Sequence, residues 1–238
     1  MSKRPILIVA AILAASAISF AQTIDPSKWL GKGRKDSASD TDVVAGLKEA
    51  LQIGSGNAVK LTGKVDGYFG NEAIKILMPS QLRSVEKALR GLGQGQKVDE
   101  FVLSMNRAAE KAAPAAKDIF WNAIKGMSFD DARKVLGGGD TAATDYLRTT
   151  TGETLTSTFR PVVSDSLKDV GVLQKYKQLQ GSYQSLPFSS SLPSVDIEQY
   201  VVTKALDGLF HVLGDEERKI RKDPAARVTD LLKNVFRG

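Results

Sequence analysis

His211 is the one histidine of the chain, and Asp207 and Asp215 stand four residues to either side of it. On a helix that spacing brings all three onto one face, where flanking carboxylates favour the imidazolium. A serine hydrolase also needs a positioned serine and an oxyanion hole, and no stretch of the chain carries the local signature of either. A hydrolase built on carboxylates alone stays open, because 27 acidic residues supply many pairs.

Other groupings point to binding. Asp99, Asn106 and Glu110 stack on the polar flank of an amphipathic pattern, with Leu103 among them and Arg107 beside them. Aliphatic surface rimmed by polar groups is a common form of contact site. These residues are a candidate polar network and partner surface; a solvated face with an Arg107–Glu110 pair is the simpler reading. Gly137-Gly138-Gly139-Asp140-Thr141 can expose backbone N–H groups in an anion nest at a helix start, which makes Asp140 a further candidate. The same glycines also serve as a plain helix-to-helix connector, with Asp140 as N-cap. Gly54-Ser55-Gly56 lacks the strand and the Gly-Lys-Ser/Thr ending of a phosphate loop. Asp66, Asn71 and Glu72 do not have calcium-loop spacing, and Asp66-Gly67 reads as a turn.

Composition narrows the classes further. The 238 residues contain no cysteine, so disulfides, thiolate metal sites and a cysteine nucleophile are excluded. One histidine argues against a transition-metal site, and no metal or cofactor is expected. The net charge of +6 is modest and scattered among acids, unlike a nucleic-acid footprint. Lys3 and Arg4, the apolar run from Ile6 to Phe20 and the small residues Ser19 and Ala21 form an export signal, with cleavage expected after Ala21. Residues 22–41 read as a flexible linker. Trp29-Leu30 beside Lys32, Arg34 and Lys35 is the one place in it suited to peripheral membrane contact.

The elements that must position these groups are helices. Val44, Leu47, Leu51, Ala58 and Leu61 share one face, with Asp40 or Thr41 as N-cap and Gly54 and Gly56 weakening the middle. Ile74 to Leu77, ending at Pro79, is a small strand or an extended strap. Leu82 to Leu92 forms a helix stopped by Gly93, and Val98 to Ala113 is the cleanest amphipathic pattern. Pro114 opens a helix carrying Ala116, Phe120, Ile124 and Met127, and Ser128 with Asp131 caps a short helix ending at Leu136. Ala142 to Arg148 is helical, and Thr150 with Glu153 reads as a capping box for a separate helix, kinked at Pro161 and ended by Gly171. Leu173 to Tyr183 is helical, 186–194 is a Pro/Ser-rich loop, and Asp223-Pro224 starts a last helix through Phe236.

Asp196 with Gln199 caps the longest segment, Ile197 to Lys222, roughly 40 Å as one helix. Its apolar face is wide: Ile197, Val201, Ala205, Gly208 and Val212 form one stripe, broadened by Val202, Leu206, Leu209, Phe210 and Leu213. Tyr200, Lys204, Asp207, His211 and Asp215 form its polar flank, and beyond Leu213 the charges predict a solvated end. The expected architecture is one all-α multi-helix domain over residues 42–238, wrapped around this long, largely buried helix.

Four stretches together resemble a bacterial family of exported proteins, catalogued as domain of unknown function 4197. They are Ser104 to Glu110, Gly138 to Thr144, Lys204 to Phe210, and Asp223-Pro224-Ala225-Ala226-Arg227 with Val235-Phe236. They occur in matching order over roughly Val43 to Phe236. The resemblance implies an envelope-located helical domain and carries no reaction, cofactor or catalytic residues.

The resulting expectation is an exported, periplasmic, non-catalytic binding or interaction protein of the cell envelope. Its partner would be another protein or a small apolar ligand, not nucleic acid, with the oligomeric state open. The alternatives are a hydrolase using acidic residues and a membrane-surface accessory protein.

Overall fold

A computed structural model describes residues 40–169, 171–186 and 195–223. The export signal, the linker with Trp29, most of the Pro/Ser-rich loop and the last helix expected after Pro224 lie outside them. Eight α-helices, and no strands, occur among the described residues: α1 (Asp40–Gly63), α2 (Arg83–Gly91), α3 (Gly95–Ala112), α4 (Ala116–Gly126), α5 (Phe129–Leu136), α6 (Ala142–Asp169), α7 (Val172–Gln184) and α8 (Ile197–Lys222). The fold is all-α. No helix among the described residues is long and apolar enough to cross a membrane.

Local chemistry accounts for many of the boundaries. Ser128 accepts from the Asp131 N–H at 3.1 Å, and its hydroxyl donates to the Asp131 carboxylate at 2.6 Å, so α5 starts where the Ser/Asp pair predicts. Asp196 accepts from the Gln199 N–H at 2.9 Å and caps α8. Pro114 stands in a 3-10 turn, Ala113–Ala115, that leads into α4. Gly54 and Gly56 do not interrupt α1.

Two expectations fail for identifiable reasons. Thr150 and Glu153 start no helix, because α6 runs unbroken from Ala142 to Asp169. The Thr150 hydroxyl donates back to the Tyr146 carbonyl at 2.8 Å, as threonine does inside a helix. The helix also continues past Pro161, although that residue cannot donate to the Ser157 carbonyl. The second failure is the solvated end of α8: Glu216, Glu217 and Ile220 are buried. Their neighbours come from distant parts of the chain. The Asn57 amide of α1 donates to Glu216 at 3.0 Å, and Glu217 meets the start of α6.

The apolar stripe of α8 is buried at Ile197, Val201, Ala205, Gly208, Leu209 and Val212. This helix packs most extensively against α1 and α6, while α3 packs against α6 and α7. On α1, Leu47, Leu51 and Ala58 join the core, but Leu61 is exposed. Residues 64–79, between α1 and α2, contain no strand; 75–79 form a strap without regular secondary structure, and Ile74, Ile76 and Met78 are buried. Asp66 adopts φ 62°, and Gly67 follows it where a Cβ would lie 2.5 Å from the Leu61 carbonyl oxygen. Only glycine fits that turn.

Candidate functional site

Three buried anchors hold the 64–79 segment. Asn106 on α3, fully buried, accepts from the Ile76 N–H at 2.9 Å and donates to the Ile76 and Val102 carbonyls, each at 2.8 Å. Glu110, one turn further on, accepts from the N–H groups of Tyr68 and Phe69, both at 3.1 Å. Its second oxygen takes a 2.6 Å bond from Arg107, whose other arm reaches Asp66 at 2.8 Å. The third anchor is Tyr68, fully buried, whose hydroxyl donates to the Ala205 carbonyl of α8 at 2.6 Å. Burial, with the Glu110 charge adding to it, keeps that phenol protonated far above its ordinary range. Gly208 makes the seat: a Cβ there would lie 2.6 Å from the Tyr68 ring.

Of the residues singled out on α3, the fold therefore brings Asn106, Arg107 and Glu110 together, as a partly buried network against the strap. Leu103 is half-buried on the same helix, and Asp99 is exposed. Asp99 belongs to a different group, paired at 2.7 Å with Arg90, which also bonds Glu86. It lines a cleft of about 270 Å³ on the α2–α3 side of the strap. Asp140 lies elsewhere, ion-paired with Lys222, whose ammonium holds its carboxyl below the ordinary value.

The N–H groups of Gly137 and Gly138 close α5 on the Arg133 and Val135 carbonyls; the N–H groups that meet an anion are those of Ala143 and Thr144 in the first turn of α6, and the chain supplies that anion. Glu217 accepts from the Ala143 N–H at 2.9 Å and from both the N–H and the hydroxyl of Thr144, each at 2.8 Å. Arg221 adds a 2.9 Å bond to the same carboxylate and a 2.8 Å bond to the Val135 carbonyl. A helix N-terminus favours negative charge, and here an internal carboxylate provides it. The sequence signal was available only in part: Glu217 and Arg221 have helical-pair spacing, but nothing local marks the distant N–H groups.

The polar flank of α8 faces a larger opening. Lys204, Asp207, His211 and Tyr200 form one wall, and residues 73–80 with Arg83 form the other, around a cleft of about 500 Å³. That volume suits a small ligand. The Tyr200 hydroxyl donates to the Leu77 carbonyl at 3.0 Å and ties the walls at one end. His211 lies 3.6 Å from Asp215, while Asp207 turns to Arg148 and Lys204, 3.6 Å from each. The two aspartates thus do not converge on the imidazole. No group of three or more His, Asp or Glu side chains that could hold a metal ion occurs among the described residues.

The chain belongs to the family described as protein of unknown function (DUF4197), whose sequence model matches residues 37–237. No curated protein and no solved structure matches the chain.

Proposed function

We propose that this protein is a non-catalytic binding protein of the bacterial cell envelope, exported with removal of Met1 to Ala21. It uses the cleft between residues 73–80 and the polar flank of α8 to hold its ligand. The observation that carries this reading is the contrast between two kinds of polar group. The buried carboxylates Glu110, Glu216 and Glu217 are already engaged by protein donors. The polar side chains of the cleft instead line open space of ligand size. Desolvated acids that are fully occupied make poor general acids or bases, whereas an open polar cleft is suited to recognition. The α3 network of Asn106, Arg107 and Glu110 serves this role indirectly, by holding the strap that forms one wall.

The test is isolation of the chain from a periplasmic extract, followed by intact and native mass measurement. A chain beginning at Gln22 and carrying a small molecule is the expected result. A chain that keeps Met1 would defeat the export half. Hydrolytic turnover lost on neutralising Asp207 would replace the binding reading with a carboxylate hydrolase.

A further inference from the structure

The cleft between the strap and α8 has an uneven charge. Lys75, Arg83 and Lys204 line it against one carboxylate, Asp207, with His211 at its edge. Lys204 and, from outside the lining, Arg148 each approach Asp207 at 3.6 Å, so two cations share its one charge. Lys75 has a neighbour in Glu72 at 3.5 Å, but the Glu72 side chain is 86% exposed, so solvent screens that pair. Lys75 also sits over the Phe69 ring, 4.4 Å from its centroid, which restrains the ammonium beside the strap. Asp215 faces His211 from the next turn of α8.

Arg83 is the distinctive member. It makes no ion pair among the described residues, whereas Arg90, two turns along the same face of α2, is held by both Glu86 and Asp99. It stands at the first position of α2 and lines both clefts beside the strap. Its charge reaches Tyr200, acting against the burial that raises that phenol's pKa. A planar guanidinium without a protein partner, facing an open cleft with two lysines, has the donor geometry for a two-oxygen anionic group.

We infer that this cleft binds a small molecule carrying an oxyanion, a phosphate or a carboxylate, with Arg83 as the bidentate donor and Lys75 and Lys204 as flanking charges. The inference rests on the binding reading above and adds the chemical class of the ligand. Tyr200, already donating to Leu77, lends one face of the pocket rather than a donor.

The experiment is an amide NMR titration of the full chain at low salt with inorganic phosphate, succinate and, as a neutral probe, glucose. Either anion should move the amides of residues 73–80 and 200–211 saturably, and the stronger of the two names the source of the oxyanion. Arg83→Gln should weaken that response roughly tenfold or more, equal to at least one decade in Kd. Lys204→Gln should weaken it less, and Lys134→Gln, on an exposed side chain of α5, should leave it unchanged. Arg83 is exposed, so its variant is expected to fold, and an unchanged Tm checks this. Shifts equal in the wild type and Arg83→Gln, or weakened equally by Lys134→Gln, would reduce the effect to general screening and overturn the inference. Saturable shifts with glucose and none with anions would overturn the anion class while leaving a binding protein. No response at the cleft to any probe would overturn the anion site, and a native-mass ligand mapped elsewhere would then remove the cleft from the binding reading as well.

Discussion

Glu217 of α8 holds Thr144 of α6 by two of its groups at once, accepting from its N–H and from its hydroxyl at 2.8 Å each. A residue near the end of one long helix thereby caps the beginning of another. Glu217→Ala removes the acceptor for two first-turn N–H groups and the partner of Arg221 in a buried setting. Loss of one member of a buried pair costs about 3–5 kcal/mol. Thr144→Val removes the hydroxyl alone and should cost about 1 kcal/mol. Urea unfolding of both variants measures the difference, and equal midpoints would show that the carboxylate is not what secures α6.

Gly208→Ala tests the close approach of Tyr68 to α8. The added Cβ would lie 2.6 Å from the Tyr68 ring and 3.1 Å from the Ile74 Cβ. Overpacking of this kind costs about 1–3 kcal/mol, so Tm should fall by several degrees. A Tm equal to the wild type would mean that Tyr68 moves freely, which its 2.6 Å bond to Ala205 argues against.

The helices were legible in the sequence where their ends are made by neighbours in the chain. Asp196 with Gln199 and Ser128 with Asp131 are complete within four residues, and the observed starts of α8 and α5 follow from them. Thr150 with Glu153 has the same pattern and means nothing of the kind, because a threonine hydroxyl serves a helix interior as readily by bonding back one turn. The charged end of α8 misled for a different reason. Glu216 and Glu217 look solvated until α1 and α6 bring donors to them from over seventy residues away. On α3 the spacing of Asn106, Arg107 and Glu110 announced a polar group, but its targets, Ile76 and Tyr68, lie in a segment with no repeating pattern of its own.

Asn106→Ala should loosen the strap at one point. It leaves the buried Ile76 N–H and carbonyl without their side-chain partner, at about 1–3 kcal/mol for each unsatisfied group. Hydrogen exchange provides the readout: the Ile76 amide should lose protection while amides within α6 keep theirs. Unaltered protection at Ile76 would show that packing alone holds the strap.

Glu100 supplies a pH-dependent link between α3 and α7. Its hydrogen bond from Lys175, at 2.8 Å, lowers its pKa from the ordinary 4.5, with the lysine charge and Gln96 acting in the same sense. A lowered carboxylate pKa means that the folded state binds this proton less readily than the unfolded chain. The stabilisation is present above about pH 4.5 and is lost as pH falls through the folded value. Lys175→Met should raise the Glu100 titration, followed by side-chain carboxyl NMR, toward the ordinary range, with the Gln96 bond retained. The same midpoint in both proteins would show that the pair is not formed.

The strap between α1 and α2 is fastened at Tyr68, Ile76 and Leu77 by groups from α3 and α8. Its shape is therefore fixed when the chain folds, and a ligand entering the cleft meets a wall that has no ordering left to do. Association then carries little ordering penalty from the strap's backbone, leaving that of the Arg83 and lysine side chains, and requires no slow rearrangement. An oxyanion would enter and leave on the timescale of diffusion and bond breaking. On the binding reading proposed above, such a wall favours ready release of the ligand, in contrast to a clamp that closes over it.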